Sequence, residues 1–181
     1  MQFLAKGKRG KVYLTERGTI IKKADEDRAR NEVCWLGILN KKGIGARLIE
    51  HGGDWFECEY IEGCVIEEYI KKADKKRIVK ILKDCLKQCR IIDELGVNKK
   101  ELHHPYKHII IKKNKPVFID FERCKRTENP KNVTQFCQYV LKLAGMFPWK
   151  IKIEREEMIK AMKAYKSKPD EKKFKNILQL L

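Results

Sequence analysis

The chain has 181 residues, 43% of them hydrophobic and 37% charged, which suits one domain with a real core or two small lobes sharing a chain. Seven cysteines, an odd number with no CxxC pair, argue against a disulfide framework and read as buried free thiols in a reducing compartment. A formal net charge of +17 asks for an anionic partner, and no apolar run approaches the ~18 residues of a membrane span, so the expectation is a cytoplasmic protein that makes no use of a membrane.

From Phe3 to Ala24 the pattern predicts strands, "KVYLTE" and "TIIKKA" on either side of a turn at Arg17-Gly18. A charged stretch leads into "NEVCWLGILN" (31–40), whose Trp35, Leu36 and Leu39 suit an amphipathic helix. Two short strands are expected around the turn His51-Gly52-Gly53-Asp54. After Gly63 the character becomes helical, with a short helix over 64–71 and a long one over 74–95 that lines up Ile78, Leu82, Cys85, Leu86, Cys89 and Ile92. "HIIIKKNKPVFID" predicts a β-hairpin, and helices return from Thr134, with Phe174, Ile177, Leu178 and Leu181 as a closing apolar face. The order is α+β and two-lobed: a β-rich part over 1–60 and a helical part over 61–181, with the boundary near Tyr60 to Gly63.

Several short stretches could carry chemistry. Gly7 and Gly10 in "AKGKRGKVYL" fall between strands, where they form either a loop that lets backbone N–H groups approach phosphate or a plain hairpin turn. In "TIIKKA" one lysine of Lys22-Lys23 could point inward and meet phosphate, or both could lie at a solvated strand end. Glu32 on the following helix could pair with the inward lysine or make only a surface salt bridge. After "FECEY", "IEGCVIEEYI" reads as a short extended connector leaving the strands, and its free backbone donors and acceptors suit a flat heterocycle. In "GVNKKELHHPYKHIII" and "PVFIDFERC", Glu101 falls in a loop after the long helix and Asp120 ends the second hairpin strand, where it is either an ordinary strand end reaching water or, brought beside Glu101 by the hairpin, part of a carboxylate pair for Mg²⁺. His103, His104 and His108 do not make a zinc site, because Pro105 breaks any helix between them and no cysteine sits at ligand spacing.

Taken in order, glycine loop, strand lysine, helix glutamate, connector, loop carboxylate and "DF" after a hairpin resemble the protein-kinase fold from about Ala5 to Phe136. The chain is similar to minimal, atypical members: the RIO kinases, the small KEOPS-complex kinase, and the short archaeal proteins called predicted serine/threonine protein kinases. The resemblance implies a small β-rich N-lobe and a truncated helical C-lobe. It implies that Gly7 and Gly10 cover phosphate, that Lys22 (or Lys23, if the register is off by one) binds it, and that Glu32 pairs with that lysine. Glu59, Tyr60 and Ile61 fall on the adenine-binding hinge, Glu101 on the catalytic aspartate and Asp120 on the Mg²⁺ ligand of D-F-G, here D-F-E.

The departures bear on activity. Glu101 carries one more methylene than aspartate, moving the carboxylate by roughly 1 Å, and such misplacement can cost about 10²-fold in rate. Lys99 stands where the family has histidine, and Tyr106 where it has a metal-binding asparagine. Only an allowance of two inserted residues brings His108 to that place, as a nitrogen ligand poorly matched to Mg²⁺. The expected function is an ATP- and Mg²⁺-dependent phosphotransferase acting on a protein acceptor, with Lys22, Glu101 and Asp120 as catalytic residues and ATP hydrolysis as a slow variant. The alternative is a pseudokinase-type module that binds nucleotide, RNA or a ribonucleoprotein with little catalysis.

Overall fold

The computed structural model describes residues 1–6, 10–100 and 102–181. Its first part holds β1 (Gln2–Lys6), β2 (Gly10–Leu14), β3 (Thr19–Ala24), α1 (Glu26–Asn40), β4 (Leu48–His51) and β5 (Trp55–Glu59). The strands form an antiparallel sheet in the order β1-β2-β3-β5-β4. Val12 pairs with Lys22 and Lys22 with Phe56, so these three side chains share one face of the pleat. Gly10 lies within β2 rather than in the turn before it. A Cβ there would come within 2.5 Å of the Lys23 carbonyl oxygen, so the close approach of the two strands requires glycine.

Helix α1 begins five residues before Asn31. Asp25 caps it by accepting from the Arg28 N–H at 3.2 Å, and Glu26 and Asp27 occupy the positive first turn. The charged stretch before Asn31 is thus helical itself, and its Ala29 is buried with the apolar face. The buried positions Ala29, Glu32, Trp35, Leu36 and Leu39 form one stripe, with a carboxylate in its middle.

The second part holds β6 (Cys64–Val65), α2 (Ile66–Lys72), α3 (Lys75–Glu94), β7 (Val97–Asn98), β8 (Ile109–Lys112), β9 (Lys115–Phe118), β10 (Lys125–Arg126), α4 (Asn132–Met146), α5 (Arg155–Ser167) and α6 (Glu171–Gln179). The predicted helix over 64–71 starts only at Ile66, because Cys64 and Val65 pair with Ile111 and Ile110 as a third strand beside the β8–β9 hairpin. Lys113 and Asn114 turn that hairpin with φ of 48° and 58°, the double left-handed geometry of a tight two-residue loop. Asp74 caps α3, whose apolar stripe is buried against β9 and α4. One continuous core runs from Trp35 and Leu36 through Phe121 to α3, α4 and α6, where Phe174 and Ile177 close it. Five cysteines are buried as free thiols, while Cys64 is half-buried and Cys34 is exposed. Among the described residues, no helix is long and apolar enough to cross a membrane.

Candidate functional site

Between the sheet and the β8–β9 hairpin lies a cleft of about 900 Å³, within the roughly 300–1,000 Å³ usual for small-molecule sites. Val12, Ile20 and Phe56 line it from the sheet, and Ile110, Ile119 and Phe121 from the other side. The polar groups gather at its inner end.

Lys22 is the centre of that group. Strand register decides between the two neighbouring lysines: Lys22 enters the cleft, whereas Lys23, opposite Lys11 and Trp55, is exposed on the outer face. The Lys22 ammonium lies 2.5 Å from Glu32 Oε2 and 3.4 Å from Asp120 Oδ1. The other Glu32 oxygen accepts from the Phe121 N–H at 3.2 Å. Burial by itself would lower the Lys22 pKa, but Glu32 and Asp120 outweigh it and hold the ammonium above the ordinary lysine value. Burial pushes the Glu32 carboxyl up, against the pull of Lys22 and the Phe121 N–H. Burial would raise Asp120 as well, but Lys22, Lys99 and His108 bring it below the usual carboxylate range.

Asp120 does not end the hairpin strand. It follows β9 by two residues and adopts φ 64°, a left-handed conformation uncommon for any residue but glycine. A lysine holds it there. The Lys99 side chain is buried, with the residue only 2% exposed. Its ammonium donates to the carbonyl oxygens of Ile119, at 2.8 Å, and of Asp120, and lies 4.6 Å from the centre of the Phe121 ring. Burial lowers the Lys99 pKa. Its backbone N–H donates to Asn132 Oδ1 at 2.8 Å, and Asn132 in turn donates to buried Asp93. Helix α1 grips the same segment from the opposite side: Asn31 donates to the Glu122 carbonyl at 2.7 Å, and the Trp35 indole to that of Cys124 at 3.0 Å.

Glu59, Tyr60 and Ile61 border the cleft, and the Glu59 carboxylate is tied to Lys112 of β8 at 2.6 Å. His108 Nε2 lies 3.7 Å from Asp120 Oδ2. Gly7 and Glu101 lie outside the described residues. Cys58 and Cys124 form part of the inner wall, and burial pushes both thiols up to about 12, which leaves them inert.

Carboxylate oxygens of Glu32, Asp120 and Glu122 lie within 4.8 Å of one another. Both Glu32 oxygens are committed, one to Lys22 at 2.5 Å and one to the Phe121 N–H, whereas Asp120 meets Lys22 only at 3.4 Å, so Asp120 and Glu122 are the pair that could hold a cation. Carboxylate oxygens suit a hard ion such as Mg²⁺, and the His108 nitrogen does not. The grip of Lys99, Asn31 and Trp35 on residues 119–124 was not legible in the sequence. Only a lysine standing in the histidine position of the resembled motif hinted at it.

No protein-family profile matches the chain. Over 76 residues, 42% of its length, it is 34% identical to an uncharacterized protein of Methanocaldococcus jannaschii, and the matched stretch spans 65% of that protein.

Proposed function

We propose that the cleft binds ATP with Mg²⁺ and that the chain is an ATP-dependent phosphotransferase of the atypical protein-kinase-like kind, with an N-lobe over 1–60 and a truncated C-lobe over 61–181. The observation that carries this reading is Lys22, held between Glu32 and Asp120 at the inner end of an apolar cleft. An ammonium fixed by a buried carboxylate is a positioned point charge for the α- and β-phosphates. The apolar walls from Val12, Ile20 and Phe56 suit a purine ring, with backbone groups of 59–61 at its edge. Asp120 with Glu122 would hold Mg²⁺, which neutralises charge on the β- and γ-phosphates. In this reading Glu101 orients the acceptor hydroxyl, a role that rests on the resemblance of "GVNKKEL" alone. The γ-phosphoryl group passes to that hydroxyl, leaving ADP and releasing the hydroxyl proton.

A second reading, nucleotide binding with little catalysis, is favoured by Glu101 and Lys99 standing where the family has aspartate and histidine. The two separate cleanly. In a thermal-shift titration with ATP or ADP, with and without Mg²⁺, a ligand at a hundred times its Kd stabilises by about 2.7 kcal/mol, or roughly 5–10 °C for a chain of this size. The shift should require Mg²⁺ and vanish in Asp120→Asn. No shift at millimolar nucleotide sinks both readings. A shift together with phosphotransfer that Glu101→Ala abolishes selects the enzyme, and a shift without any transfer selects the module.

A further inference from the structure

The loop that leads from Lys99 to the cleft carries a second feature, on its outer side. His103 and His104 are both exposed, their rings packed edge to face with centroids 4.6 Å apart. His104 continues onto Tyr106 at 5.8 Å, and Tyr106 onto buried Tyr139 at 5.6 Å, which anchors the ladder to α4. The exposed Lys142 places its ammonium 5.1 Å from the Tyr106 ring and donates to the Tyr106 hydroxyl. Lys100 and Lys107, also exposed, flank the ladder at the lip of the cleft. Solvated imidazoles contribute nothing to the core, and the fold below them needs only Leu102, Pro105 and Tyr106, so packing does not account for two adjacent exposed rings.

We propose that this ladder, His103, His104 and Tyr106 set among Lys100, Lys107 and Lys142, is a docking surface for a single-stranded nucleic acid. Unstacked bases lie on the rings and phosphates meet the lysines. Exposed rings interleaved with cations are what a single strand uses, since every base has a face to stack and every phosphate a charge to neutralise. An acidic peptide would use the lysines but leave the rings idle. A duplex keeps its bases stacked and would leave them idle too. The net charge of +17 steers any polyanion toward the protein, but the ladder selects the kind.

The test is fluorescence anisotropy of labelled oligouridine and oligodeoxythymidine, with a duplex of equal length and polyglutamate as competitors, over a range of salt and without nucleotide. Either single strand should outbind both competitors, and the tighter of the two identifies RNA or DNA as the natural ligand. The His103→Ala/His104→Ala pair should weaken binding about thirtyfold, ~1 kcal/mol for each ring, with the salt slope unchanged, because stacking rather than charge is removed. Lys107→Ala/Lys142→Ala should lower the salt slope by about 1.4, or ~0.7 for each phosphate of the single strand that is no longer neutralised. Wild-type affinity in the histidine pair overturns the proposal, and so does polyglutamate or duplex competing on equal terms. The histidine variant should keep its melting temperature and its ATP-induced shift. Loss of nucleic-acid binding with that shift intact speaks to this surface alone, and loss of the ATP shift in the unmodified chain speaks to the cleft alone.

Discussion

Removing the Lys22 amine would strand Glu32, a side chain 5% exposed whose other oxygen is committed to the Phe121 N–H. A buried charge deprived of its partner is among the costlier defects a fold can carry. Lys22→Met should therefore destabilise the protein by about 3 kcal/mol. Adding Glu32→Gln should recover most of that loss, because the orphaned charge is gone while the amide still accepts from Phe121. Urea unfolding of the two variants decides it, and a double variant no more stable than the single one would mean that Lys22 matters through packing instead. The same residue marks where reading a sequence stops. "TIIKKA" offers two lysines, and alternation along a strand says only that they face opposite ways. The pairing of Val12 and Phe56 with Lys22 settles which one meets the cleft.

At the scale of elements, the long-period patterns were legible and the short ones were not. The α3 stripe and the β8–β9 hairpin follow from spacing, since each buries a face that its own sequence defines. β6, β7 and β10 are two residues each, too short to show any period, and exist because a neighbour supplies their hydrogen bonds. Gly63 is part of that arrangement, since a Cβ there would meet the Ile111 carbonyl oxygen at 2.4 Å. β5 and β8 are joined across the cleft by Glu59 and Lys112, and the hydrogen bond from Lys112 holds the Glu59 carboxyl below the ordinary glutamate value. A carboxyl lowered in the folded state stabilises above its unfolded pKa, and that contribution disappears as pH falls through the folded one. The melting temperature of the wild type should therefore fall more steeply with acid, below the ordinary glutamate value, than that of Glu59→Gln. Parallel melting curves across that window would mean that the pair forms no working tie between the strands.

For the whole molecule, a net charge of +17 on 181 residues is self-repelling, and among the described residues the ion pairs on the surface are mostly between neighbours one helical turn apart. Raising sodium chloride from low millimolar to physiological strength shortens the screening length to about 8 Å. Screening weakens both effects, but the longer-range repulsion loses more, so the melting temperature should rise by about 2–4 °C, equivalent to about 1 kcal/mol. A fall would mean that local pairs outweigh the net charge. By itself the sequence determined the α+β class, the order of the main elements, the excess of positive charge and the residue types available for a polar site. Each of these is carried by composition or by spacing within one segment. The tertiary structure alone decided that Lys22 and Asp120, 98 residues apart, come within 3.4 Å, and that Lys99, Asn31 and Trp35 clamp the segment holding Asp120. It also decided that His103 and His104 stand exposed in a ladder anchored on α4. Local periodicity says which face of an element is buried, but which faces meet is set by the packing of the entire core.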